Sequence, residues 1–244
     1  MSEGKESQEA GSARYGNFIN YYQFNPGSNR IQLLQSENLL SYISLPKDRR
    51  IVCLDIGCNT GELTEALYTY LKQCDENVSL DILGIDLDPT LIDRAREKYI
   101  NKDDLTFKCA DILDSKTLDD TIYPFLCSRG LKSFDMVTCF SISMWIHLNA
   151  GDIGLERFFQ KCSMLGLYLI LEPQPWKCYQ TAARRMRIHK QPEFEEKKKF
   201  KGADQEWLTG FIDEITSKNG FKTIKHFGKT EWKRSVILYG KDSS

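Results

Sequence analysis

The stretch from Cys53 to Thr64, reading C-L-D-I-G-C-N-T-G-E-L-T, restricts the fold more than any other part of the chain. A short apolar run at 51–56 breaks at Gly57, Cys58, Asn59, Thr60 and Gly61, and helix-like spacing resumes at Leu63, Ala66 and Leu67. That order predicts a buried strand, a tight loop and a helix start. Gly57 and Gly61 admit positive φ and close backbone approach, and a helix start offers unpaired N–H groups and the positive end of its dipole. The expected guest is a nucleotide-like ligand carrying an anionic or carboxylate group.

The same alternation recurs downstream. Apolar runs at 80–85, 105–109, 134–140 and 167–171 read as four further strands, and residues 221–227 and 235–239 as a closing hairpin-like pair. Helical patterns lie around Leu91 and Ala95 and over 117–126, 153–165 and 204–218, with Gly220 as a C-terminal cap. An earlier helix beginning at Arg30 is expected to lead to the break at Pro46, and residues 141–149 to form a loop and helix start. Strands alternating with helices predict an α/β fold: a doubly wound, mostly parallel sheet with an antiparallel C-terminal strand. The length of 244 residues suits one domain. We place it at 14–241, after a polar tail at 1–13 expected to be disordered, with the aromatic segment Y-G-N-F-I-N-Y-Y at 15–22 docked on it.

Composition narrows the function. No apolar run approaches the roughly 20 residues of a membrane span, and the first residues lack a signal-peptide core. A soluble monomer in the cytoplasm, with the nucleus as a second location, is the expectation. The eight cysteines form no C-x-x-C pair and there are three histidines, which favours free thiols and no metal site. A net charge of -1 argues against a general nucleic-acid coat. Residues 177–201, however, hold nine cations against three anions, so a basic insertion over about 177–203 could face phosphates.

In a doubly wound sheet, ligands bind beyond the carboxyl ends of the strands. There the sequence places Asp55, Gly57, Asn59 and Gly61, then Asp86, then Asp111 and Ile112, then Phe140. Asp86 suits two ribose hydroxyls, and Asp111 an adenine amino group between the apolar walls Ile112 and Phe140. A dinucleotide fits less well, because the loop lacks the G-x-G-x-x-G order and Asp86 lies beyond the roughly 20-residue spacing of that fingerprint. S-adenosylmethionine fits better.

The loop resembles motif I of class I methyltransferases, with its middle glycine replaced by Asn59. Together with Y-G-N-F at Tyr15, D-L-D-P at Asp86, S-I-S-M-W-I-H-L-N at Ser141 and L-E-P-Q-P-W at Leu171, the chain resembles the Bicoid-interacting family of RNA 5'-phosphate methyltransferases over about 15–239. The short loop between Ala110 and Phe134 and K-C-Y-x-x-A-A-R-R after Trp176 favour the family's smaller cytoplasmic branch over its methylphosphate-capping branch. The resemblance implies that Arg30 pairs with the methionine carboxylate of S-adenosylmethionine and that Asn59 hydrogen-bonds it. Gln23 departs from the family, which tends to carry an arginine near the double tyrosine, and puts a phosphate role there in doubt.

A 5'-monophosphate is already anionic near pH 7, its second pKa being about 6, so positioning rather than a strong base is required. Candidate groups at the phosphate are Tyr15, Lys177, Gln174 and His147, the glutamine aimed by its P-Q-P turn. Arg184, Arg185, Arg187 and Trp176 are candidates for holding the RNA body, a transfer RNA or microRNA precursor being plausible. A triphosphate end, a small-molecule acceptor and a catalytically inactive RNA-binding scaffold are the alternatives.

Overall fold

The computed structural model describes residues 14–74, 78–200 and 203–241. The tail expected at 1–13 lies outside them, as does Lys201 of the basic run. Strand β1 (Ile51–Ile56) is buried at every position. Val52, Leu54 and Ile56 enter the core on one face of the sheet, and Ile51 and Cys53 the core on the other. A strand apolar on both sides must be covered by helices on both sides, the situation of parallel sheets.

Seven strands run in the order β3-β2-β1-β4-β5-β7-β6. These are β1, β2 (Leu80–Asp86), β3 (Leu105–Cys109), β4 (Phe134–Phe140), β5 (Gly166–Glu172), β6 (Phe221–Lys229) and β7 (Ser235–Lys241). The first five pair in parallel, and β7 pairs antiparallel with both β5 and β6. Strand order reverses between β1 and β4, so a crevice opens at their carboxyl ends. This is the fold class expected.

Helices α1 (Tyr21–Phe24), α2 (Gly27–Ser36), α3 (Glu62–Cys74) and α4 (Pro89–Lys98) precede β3. Helix α5 (Tyr123–Cys127) follows a wider helical turn at Leu118–Ile122, and α6 (Ser143–Leu165), α7 (Trp176–Ile188) and α8 (Gln205–Lys218) complete the chain. Asp88 caps α4 by accepting from Thr90 N–H, with Pro89 in the first turn.

One local expectation changes. Helix α2 begins at Gly27 and stops at Ser36, well before Pro46, because Asn38 takes a left-handed conformation (φ 50) and redirects the chain into a short 3-10 turn at Leu39–Ser41. The loop and helix start expected at 141–149 is observed, with α6 beginning at Ser143 and continuing across a break at Gly151 (φ 67, ψ -169). A side chain at Gly151 would overlap the Glu196 carboxylate, so this break seats the segment after α7 against α6. Within the basic insertion expected over about 177–203, α7 buries Tyr179, Ala182 and Met186 against the domain.

Leu54 is fully buried in the central strand. Leu54→Ala should lower unfolding stability by about 2–5 kcal/mol, read as a lower denaturant midpoint with little change in slope.

Candidate active site

The loop after β1 is held by its own backbone. Gly57 and Cys58 N–H both donate to Ile85 O (2.8 and 3.1 Å), Asn59 N–H to Asp86 Oδ2 (3.0 Å), Thr60 N–H to Asn59 Oδ1 (2.8 Å) and Gly61 N–H to Cys58 O (2.9 Å). These donors are therefore engaged internally, and the expectation that they cradle an anion is corrected. The glycines serve close packing: Gly57 has φ 78, and a Cβ there would overlap Ile142. Gly61 (φ 79) backs onto the Phe107 ring and stands behind the crevice rather than in its wall.

The crevice itself is lined by Tyr15, Asn17, Arg30, Asp55, Gly57, Asn59, Asp86, Asp111, Ile112 and Phe140, with Tyr21, Ser141 and Trp145 at one side. Asp55 is buried between Thr64 and Thr138 hydroxyls (2.6 and 2.7 Å). Burial raises its carboxyl pKa, and those two hydrogen bonds pull it back. Asp86 accepts from Asn59 N–H on one oxygen and Asp88 N–H on the other; burial again raises its pKa against these bonds. Asp111 is exposed and accepts from Leu113 N–H.

Arg30 is fully buried. Its Nε and Nη2 donate to Glu172 Oε2 (3.0 and 2.7 Å), Nη2 also to Tyr21 Oη (2.7 Å) and Ser141 Oγ (3.1 Å), and Nη1 to Asn25 O (3.2 Å). Burial opposes the charge, yet the Glu172 carboxylate more than compensates and the guanidinium pKa stands above its usual value. Glu172 also accepts from Ser141 Oγ and from Trp232 Nε1 (2.9 Å). Arg30 thus borders the crevice as half of an ion pair that the sequence did not signal. Asn59 likewise lines the crevice, with its side-chain amide donating to Phe18 O (3.0 Å) and tying the segment at 15–22 to the loop.

A second pocket adjoins the first across Tyr21, Ser141 and Trp145. Its wall includes Phe24, Gln174, Lys177, Thr181, Arg185, Trp232, Lys233 and Arg234, and it contains no carboxylate. Lys177, Gln174 and Arg185 line this same pocket. Tyr15 lies in the first pocket instead. Gln174 is buried, donating to Ser141 O and accepting from Met144 N–H (3.1 Å), so its P-Q-P turn pins the start of α6.

His147 is a correction: it lines neither pocket and is fully buried, with Nδ1 on Tyr179 Oη (3.1 Å) and Nε2 on Asp152 (2.7 Å), among the rings of Phe200, Trp207 and Phe211. Arg184 and Arg187 are exposed on α7 outside both pockets, because only the 177–181–185 face of that helix looks into the second one. Trp176 stacks on Tyr179 (5.1 Å) and packs edge-on to Trp207, while Phe24, 78% exposed, is the aromatic presented at the mouth.

The sequence reading missed Trp232, Lys233 and Arg234. The available signal was topological: β7 runs antiparallel to β5, with Ile237 opposite Leu171, so the E-W-K-R turn before β7 must sit at the carboxyl edge.

The family described as Bicoid-interacting protein 3 (Bin3) matches residues 134–241, and a general methyltransferase domain matches 54–164. The chain is 39% identical to the Pre-miRNA 5'-monophosphate methyltransferase of Xenopus laevis, over 98% of this chain and 96% of that one. It is 37% identical to the RNA 5'-monophosphate methyltransferase of Homo sapiens, over 94% and 81%. The chain belongs to the Bicoid-interacting RNA methyltransferase family. Its fold is shared with the N-methyltransferase NodS from Bradyrhizobium japonicum, solved with S-adenosyl-L-homocysteine (TM-score 0.55, 15% identity, 91% of each chain).

The cofactor of this Bicoid-interacting methyltransferase is S-adenosylmethionine, and the crevice fits it. Asp86 sits at the tip of β2 where ribose hydroxyls need an acceptor, and Ile112 and Phe140 form apolar walls. Three carboxylates and one neutralised arginine also make this pocket suited to a cationic sulfonium. Among the described residues no helix is long and apolar enough to cross a membrane, and no group of three or more His, Cys, Asp or Glu could hold a metal ion.

Two outcomes are expected. Glu172→Gln leaves Arg30 buried without its counter-charge and should cost about 3–5 kcal/mol by chemical denaturation, whereas replacing both by apolar residues of similar size should recover most of it. Burial holds the His147 pKa below its usual value, with Asp152 and Glu196 acting against it. The unfolded chain then binds more protons below about pH 6.5 than the folded one, so stability falls on acidification. His147→Phe should show a shallower loss of denaturation midpoint below that pH than the parent.

Proposed function

We propose that this protein transfers the methyl group of S-adenosylmethionine to a 5'-monophosphate at the end of a small structured RNA, a microRNA precursor or a transfer RNA. The observation that carries the reading is the separation of charge between the two pockets. The carboxylates that line a pocket here, Asp55, Asp86 and Asp111, all lie in the first, whereas the charged residues of the second are Lys177, Arg185, Lys233 and Arg234 with no acid, Glu172 being buried against Arg30. Lys177, Arg185 and Lys233 form no ion pair among the described residues. In contrast, Lys198 and Lys199 of the basic run are matched by Glu195 and Glu196 (2.9 and 2.7 Å). Unmatched cations in a concave wall attract a dianion, and the names of the relatives point to the same end group.

When bound, the cofactor supplies an electrophilic methyl on a sulfonium. The chain's residues hold the acceptor. A terminal phosphate is largely dianionic near pH 7, so its oxygen needs no general base, and no histidine lines either pocket. Tyr21, Ser141 and Trp145 form the shared wall and fix the direction of approach from one pocket to the other. Phe24 at the mouth offers a stacking face to the first base, a contact of about 1–3 kcal/mol. Both pockets are lined by one chain, so a monomer is sufficient, and we place it in the cytoplasm with its RNA.

Mass spectrometry of a 5'-monophosphorylated RNA after incubation with protein and cofactor should find an added methyl on the terminal phosphate; methyl on a base or ribose instead would refute the reading. Lys177→Ala and Arg185→Ala should each weaken binding of phosphorylated RNA and lower the slope of log affinity against log salt by about 1, with cofactor affinity unchanged.

A further inference from the structure

We infer that Arg234, in the turn between β6 and β7, is the residue that grips the terminal phosphate in the second pocket, a role that rests on the acceptor reading above. Arg234 ends the turn at the carboxyl edge of the sheet, and two bonds fix its guanidinium. Nη1 donates to Ser141 Oγ (2.5 Å) and Tyr21 Oη (3.2 Å), both in the wall the two pockets share. The group is therefore held beside the path between donor and acceptor, not swinging from the surface.

Its other edge lacks an oxygen acceptor. Nε is shut off from solvent and has no hydrogen-bond partner, and Nη2 meets only the Cys178 sulfur at 4.0 Å. A buried donor without an acceptor is rare in folded proteins and calls for a partner. The Nε–Nη2 edge is the fork by which arginine holds carboxylates and phosphates with two parallel bonds.

Charge points the same way. Arg234 forms no ion pair among the described residues, and the carboxylate of its neighbourhood, Glu172, is already taken by Arg30, Ser141 and Trp232. The two guanidiniums share Ser141 and Tyr21 as acceptors, so this small volume holds two positive charges and one negative. Arg30 is neutralised by Glu172, so the excess charge resides on Arg234. Lys177, Arg185 and Lys233 lie at the exposed rim, where they draw the RNA in without fixing its end.

Calorimetry with a 5'-phosphorylated RNA dinucleotide and its 5'-hydroxyl counterpart tests this, because the two differ only in the terminal phosphate and share the bridging one. The full-length protein should prefer the phosphorylated form, and Arg234→Gln should erase about ten- to a hundredfold of that preference. Lys233→Gln should lower both affinities together and keep the ratio. S-adenosylhomocysteine binding, measured on the same samples, reports whether the first pocket is intact. If Arg234→Gln loses it, Arg234→Lys, which keeps the charge without the fork, decides by the same ratio. A variant with an intact first pocket and the parent's full preference overturns the role of Arg234, and a parent with no preference overturns the acceptor reading itself.

Discussion

The buried ion pair of Arg30 and Glu172 ties together the ends of four elements. Arg30 comes from α2, Glu172 from the tip of β5, Ser141 from the end of β4, and Trp232 from the turn before β7. Two fully buried charges are expensive to remove from water, and such a pair holds only when its remaining donors and acceptors are met. Here the four bonds onto Glu172 and the bonds from Arg30 to Tyr21 and Asn25 meet that condition. Two of the three residues that the pockets share, Tyr21 and Ser141, are bonded to Arg30, so their placement follows from the same electrostatics.

Neutralising Arg30 also determines which charges remain visible to ligands. The first pocket presents carboxylates, because the N–H groups of its glycine loop are bonded to Ile85, Asp86 and the loop itself. The second presents only cations. A cationic methyl donor and an anionic acceptor are then sorted to opposite sides of one wall by charge alone, before any finer contact is made. Sequence position would not suggest this arrangement: the cations of the second wall come from α7 and from the C-terminal hairpin, and the longest basic run contributes salt bridges at the surface.

Much of the fold was legible because β1, β2 and β4 are mostly apolar and buried on both faces, and that pattern has few other solutions. Residues next to a strand tip were legible for the same reason: Asp55, Asp86, Asp111 and Phe140 reach the crevice because the strands carry them there. What could not be read depends on distant partners. Nothing in the spacing of His147 shows that Asp152 and Tyr179 meet both its nitrogens, or that Glu172 lies opposite Arg30, 142 positions away in the chain. Arg234 escaped notice because its place follows from the antiparallel insertion of β7, not from any motif.

A pocket walled only by positive charge has a further consequence for turnover. Under the proposed reaction the terminus enters with nearly two negative charges and leaves with one, since an esterified phosphate has lost its second ionisation. The attraction that loads the site is then weakened by the chemistry itself, while the bridging phosphates farther along the chain are untouched. Release of the finished end is built into the same cations that captured it, with no moving part required.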